Sequence, residues 1–118
     1  MEVRELVGKY NVVGTNQDYE ETSYEGLLQI DLDLNDRIIA RWSIGNHQQS
    51  GTGFFKNNIL VINFRYKGAD NKIFKGVVVY KCLSKDLLDG FWSEKHGDPS
   101  YLGSEQCFRI NPKDTLIN

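Results

Sequence analysis

The stretch YEGLLQIDL, residues 24–32, alternates Tyr24, Gly26, Leu28, Ile30 and Leu32 with Glu25, Gln29 and Asp31. Successive side chains of a strand point to opposite faces, so this pattern predicts a strand with one apolar and one wet face. One-sided strands of this kind build antiparallel sheets. Fifty positions on, FKGVVVYKC at residues 74–82 repeats the aromatic–any–glycine opening and the apolar run. The echo continues at the same offset through Trp42 and Trp92 and through Gly53 and Gly103.

Working outward, eight segments carry or tolerate the alternation, at about 6–14, 24–32, 37–45, 50–56, 59–66, 74–82, 86–95 and 101–110. No window supports an amphipathic helix of three turns. Asn57 and Asn58 stand alone between two strands and tolerate positive φ, which suits a two-residue primed hairpin. Residues 33–36 and 83–86 are similarly short connections, whereas 15–23, 45–50, 67–72 and 95–100 are longer and more polar. Alternate hairpins of an up-and-down meander lie at the same end, so the short turns close one end and the long loops gather at the other. Each four-stranded half leaves two edges and an uncovered apolar face. Closing the halves on each other predicts a single all-β domain over residues 1–118, an eight-stranded antiparallel up-and-down β-barrel, with two four-stranded pseudo-repeats as its internal plan.

Composition limits the partners. The formal charge of the 118 residues is -2, and the fourteen lysines and arginines are spread along the chain, so no footprint for nucleic acid is visible. No apolar run approaches the roughly eighteen residues of a membrane span, and no apolar segment follows the acidic start, so a cytoplasmic protein is expected. Cys82 and Cys107 match no metal-ligand or CxxC spacing and read as reduced structural thiols. No nucleophile elbow, Walker loop, dinucleotide fingerprint or zincin helix occurs, so no cofactor is expected.

The first strand, LVGKYNVVG at residues 6–14, resembles the opening strand of the calycin barrels, the superfamily of lipocalins, fatty-acid-binding proteins and avidins. Their glycine–any–tryptophan motif is filled here by Gly8, Lys9 and Tyr10, with tyrosine replacing tryptophan. A literal copy stands at Gly90, Phe91 and Trp92. The resemblance implies a barrel whose motif closes the base and whose interior holds a small apolar molecule.

The better strands point Tyr10, Val12, Tyr24, Leu28, Ile30, Trp42, Ile44, Leu60, Ile62, Phe64, Phe74, Val78, Tyr80, Leu88 and Trp92 inward. An eight-stranded barrel is just wide enough to be filled by side chains or to hold one small ligand, so this set fits both a core and a pocket. The Asn57–Asn58 turn pairs Phe55 with Leu60, turning Phe55 inward, and the fifty-residue echo then turns Glu105 and Cys107 inward. The opposite parity buries Leu102, Phe108 and Ile110 instead. A carboxylate in such an interior has its pKa raised unless Arg109, Arg65 or a tyrosine hydroxyl compensates it. The candidate ligand-binding residues are therefore Tyr10, Tyr24, Trp42, Phe55, Tyr80, Trp92 and Glu105.

His47 and His96, with Glu94 and Asp98 nearby, fall in long loops on opposite sides of a barrel mouth, so they are expected to be exposed and no metal site is assigned. Asp18, Glu20, Glu21 and Glu25 make an acidic rim. Three readings follow: a binder of a small, mostly apolar ligand; an interaction module dimerising through Leu27, Ile39, Val77, Val79 and Phe91 on the outer face; and a small enzyme using Glu105 as acid or base.

Overall fold

The computed structural model describes residues 1–111. Its strands are β1 (Gly8–Thr15), β2 (Ser23–Leu32), β3 (Ile38–Ile44), β4 (His47–Lys56), β5 (Ile59–Lys67), β6 (Ile73–Ser84), β7 (Leu87–Glu94) and β8 (Gly103–Arg109). Each pairs antiparallel with the next, and β8 returns to β1 to close an eight-stranded barrel. Closure leaves no strand edge unpaired.

The alternation in the sequence fixes which face is inside. Tyr10, Val12, Leu28, Ile30, Trp42, Leu60, Ile62, Val78, Tyr80 and Leu88 are all at most 2% exposed and form one core. Asn57 and Asn58 take φ of 52° and 62°, making the primed turn between β4 and β5 that their side chains allow.

The fifty-residue echo keeps its register only between the second and third strands of each half, where Leu28 faces Trp42 and Val78 faces Trp92. Tyr10 faces Leu28 whereas Leu60 faces Tyr80, and the fourth strand is further out of step. Ile38 faces Gly53 across β3 and β4, but its counterpart Leu88 faces Cys107, not Gly103. The second half is out of step by an even number of residues, which preserves inward parity. The cause is loop length, because β3 and β4 are joined by Gly45 and Asn46 alone whereas residues 95–102 separate β7 from β8. The expected long loop at 45–50 is thus a tight hairpin, with Gly45 at φ 61°.

The chain start also departs from a strand beginning near residue 6. Val3–Leu6 is a turn of 3-10 helix, held by a capping box between Glu2 and Glu5, and it drives Leu6 into the bottom of the core. Gly8 makes the change of direction with φ 146°, and a Cβ there would lie 2.4 Å from Arg109 Nη1.

Arg109 closes this base. Its Nη1 donates to Val7 O at 2.9 Å, Nε donates to Lys85 O at 3.0 Å, and Nη2 donates to the Tyr10 hydroxyl at 2.8 Å. The guanidinium carbon lies 4.9 Å from the Tyr10 ring centre, and Nε reaches Asp86 at 3.0 Å. Tyr10 in turn donates to Leu6 O at 2.7 Å. Burial pushes the Tyr10 phenol up to about 12 despite the opposing charge of Arg109.

One cation thus ties the N-terminal turn, β1, the β6–β7 turn and β8 together. Arg109→Ala removes charged donors to several partners and is expected to lower stability by about 2–3 kcal/mol, read as an earlier midpoint in urea unfolding. An unchanged midpoint would show that the strand ladder alone holds the seam.

Candidate functional site

Across five neighbouring strands one inward row reads Tyr24, Gly14, Glu105, Gly90, Tyr80, on β2, β1, β8, β7 and β6 in turn. Glu105 therefore has a glycine on each side of it in the sheet. A Cβ at Gly14 would lie 2.4 Å from Tyr24 Cζ, and one at Gly90 would lie 2.6 Å from Tyr80 Cδ1. The two missing side chains are what allow both tyrosine rings to lie over the sheet and reach the carboxylate.

The Tyr24 hydroxyl donates to Glu105 Oε1 at 2.7 Å. The Tyr80 hydroxyl and Trp42 Nε1 both donate to Oε2, the latter at 3.1 Å, and the Cys107 thiol lies 3.8 Å from the same oxygen. Trp92 Nε1 extends the network by donating to the Tyr24 hydroxyl at 3.0 Å. All these groups offer protons, which is the arrangement that suits an ionised carboxylate.

Glu105 is 3% exposed and, among the described residues, forms no ion pair. Burial raises its pKa, and the hydrogen bonds from Tyr80, Tyr24, Trp42 and Cys107 offset only part of that rise. Burial, joined by the nearby carboxylate, likewise holds the Tyr24, Tyr80 and Cys107 protons firmly in place.

Above this row lies a cavity of about 400 Å³, open at the end away from Arg109. Glu105, Trp42, Tyr24, Trp92, Phe64 and Val78 form its deeper lining, and Asn16, Ile44, His47, Gln49, Tyr66 and Glu94 its upper wall. Phe64 meets the rings of Trp42 and Trp92 edge-on at 6.1 and 6.2 Å. A second carboxylate faces the same space, and Tyr66 donates to Glu94 Oε1 at 2.6 Å.

Of the seven residues expected at a ligand site, Tyr24, Trp42, Trp92 and Glu105 line the cavity. Tyr80 sits behind it as a donor to Glu105. Tyr10 belongs to the base with Arg109, and Phe55, half-buried against the core, lies outside the cavity wall. Gly103, Glu105 and Cys107 are buried whereas Leu102 and Phe108 are exposed, which fixes the parity of β8.

His47 is not an exposed loop residue. The Gly45–Asn46 hairpin places it in β4, where it lines the cavity. A chain of ring contacts running round the rim links it to His96. His47 meets Tyr66 at 4.2 Å, Tyr66 stacks on Phe74 at 5.2 Å, and Phe74 meets exposed His96 at 5.9 Å.

Gln17, and Glu94 as part of the cavity wall, lie outside the ligand set expected from the sequence. Gln17 is 9% exposed, accepts from Glu94 N at 2.9 Å and donates to Tyr101 O at 2.9 Å, so it fastens the β1–β2 loop to the β7–β8 loop. Glu94 shares the parity of Trp92 on β7, a signal that was present in the sequence. Gln17 carries no periodic signal, because its burial depends on two loops meeting.

No family model and no curated protein matches this sequence. Solved structures do match the fold. A redesigned beta barrel aligns with TM-score 0.72 at 14% identity, covering 92% of this chain and 95% of its own. Another, mFAP1 bound to DFHBI, aligns with TM-score 0.70 at 17% identity, covering 91% and 97%. A protein of unknown function from the DUF3598 family of Nostoc punctiforme aligns with TM-score 0.53 at 13% identity; the match covers 93% of this chain and 49% of that one. At these identities the likeness is one of fold.

The buried carboxylate makes a pH prediction. A raised folded pKa means that the native state holds the proton more tightly than the unfolded chain. The resulting stability is complete below the ordinary value of 4.5 and is lost as pH rises through the folded value. In Glu105→Gln the amide oxygen can accept from Trp42 and Tyr80, while the amide nitrogen donates to Tyr24, whose proton turns to Ser104 O. Urea unfolding from pH 4 to pH 8 is expected to show wild type losing stability relative to this variant as pH rises. A difference independent of pH would mean that Glu105 does not titrate differently on folding.

Proposed function

We propose that this chain is a calycin-like barrel that binds a small, largely apolar molecule inside its open end. The observation that carries the reading is the cavity of about 400 Å³ whose aromatic lining surrounds a fixed, hydrogen-bonded carboxylate. Ligand pockets combine mostly apolar walls with a few well-placed polar groups, and this cavity has that composition. A filled barrel core has no need of an open mouth or of a buried charge. Further support comes from the barrels of similar fold that are bound to DFHBI.

The binding residues are assigned by depth. Trp42, Trp92 and Phe64 supply ring faces and edges, Tyr24 and Glu105 fix polar atoms at the inner end, and Tyr66 with His47 shapes the entrance. Tyr80 and Cys107 act by holding Glu105 in place. Because the donors are locked to the carboxylate before any ligand arrives, little side-chain ordering remains to be lost on binding.

Titration with the neutral fluorophore N-phenyl-1-naphthylamine tests this directly. Saturable 1:1 enhancement with quenching of tryptophan emission is expected in wild type, and Ile44→Trp at the entrance should weaken it about tenfold or more while the circular dichroism stays unchanged. Absence of saturable binding in wild type, or equal binding in the variant, would remove the cavity as the site.

A second reading has its own observation. Phe54, Val61, Val79 and Phe91 are cross-strand partners in sequence along β4, β5, β6 and β7 on the outer face, with Phe54 62% and Phe91 49% exposed. A continuous apolar row of this kind supports a contact surface, including one between two copies of the chain. On that reading sedimentation of wild type shows a concentration-dependent dimer, and Val79→Lys leaves a folded monomer. A wild-type monomer throughout the concentration series would end it.

A further inference from the structure

The geometry points to an organic cation as the molecule this cavity selects: a protonated amine carried on a flat apolar body, with its ammonium directed at Glu105. This inference rests on the reading of the cavity as a binding site and narrows it to one chemical class.

Charge is the first observation. Two carboxylates, Glu105 and Glu94, face the cavity, and among the described residues no lysine or arginine lines it. The half-buried cation Arg109 is used at the opposite end, where it is held by Tyr10, Val7 and Lys85. In its ionised form Glu105 is a buried anion whose partners among the described residues are dipoles alone, and a ligand bringing a positive charge supplies the counter-ion that favours that form.

Unused bonding capacity is the second. Glu105 Oε2 receives Trp42, Tyr80 and the Cys107 thiol, whereas Oε1 receives Tyr24. A carboxylate oxygen accepts about two hydrogen bonds, so Oε1 has room for one more donor. An ammonium group carries that donor together with the charge. A ligand carboxylate would meet Glu105 and Glu94 as like charges.

The walls give the third. Trp42, Trp92, Tyr24 and Tyr66 border the same space, and indole and phenol faces attract cations within about 6 Å. The ring surface equally suits a flat hydrocarbon, which fixes the apolar half of the ligand. A bare divalent ion is a poorer match, because among the described residues no three His, Cys, Asp or Glu side chains converge on one point.

Three isosteric probes separate these outcomes by calorimetry at pH 7: 2-naphthylmethylamine, 2-naphthylmethanol and 2-naphthoate. The amine is expected to bind about tenfold tighter than the alcohol or better, with the carboxylate weakest. Glu105→Gln should bring amine and alcohol close to parity. Glu94→Gln, at the cavity's upper wall and away from the buried row, should reduce the preference by a smaller factor and keeps the test open if the first variant fails to fold. Equal binding of amine and alcohol, or tighter binding of the carboxylate, overturns the cation assignment while leaving the cavity a binding site. If none of the three binds, and N-phenyl-1-naphthylamine also fails, the cavity is no binding site and both readings fall.

Discussion

The row Tyr24–Gly14–Glu105–Gly90–Tyr80 is the constraint around which the upper half of the barrel is arranged. A carboxylate removed from water must find its hydrogen bonds inside the protein. Here two of them come from tyrosines on strands two places away on either side, across glycines whose absent side chains let the rings pass, and Trp42 on β3 adds a third. The row also crosses the β1–β8 seam. Glu105 can collect Tyr24 only if β8 has closed on β1 in this register, so barrel closure and the assembly of the site are one event. Thr15 and Ser104, the next rung of that seam, add a side-chain hydrogen bond of 2.7 Å.

The architecture was legible in the sequence because it depends on parity, and parity survives local error. Alternation at Tyr24–Leu32 and Ile38–Ile44, with the primed turn at Asn57–Asn58, is enough to orient most of the core. Even the imperfect fifty-residue echo placed Glu105 correctly, since the second half is offset by an even number of residues. The helical turn at Val3–Leu6 lay outside this logic, because a single turn leaves no period to detect.

The site was legible in part. Trp42, Trp92, Tyr24 and Glu105 follow from parity alone, but depth along the barrel axis does not, and depth separates Tyr10 and Phe55 from the cavity. His47 was misplaced because Gly45–Asn46 was read as the start of a long loop. Gly–Asn is itself a hairpin signal, and weighing it would have extended β4 to His47. The partners of Glu105 could not be read, since they depend on which strands stand beside β8 and on where glycines interrupt the facing side chains.

Depth also separates two tasks that use the same chemistry. The tyrosine at the base shares its hydroxyl with a cation, and the tyrosines at the row donate theirs to an anion. Arg109 is matched by backbone carbonyls, Tyr10 and Asp86, so the base is electrostatically satisfied and closed. Among the described residues Glu105 is matched only by neutral donors, so the charge of its ionised form is uncancelled where the barrel is open. Within the low-polarity interior that field is screened far less than it would be at the surface. Had Arg109 stood at the row, the barrel would hold a neutral pair and an apolar cavity with no preference for charge. Its position at the base closes the fold and leaves the cavity's anion without a counter-ion.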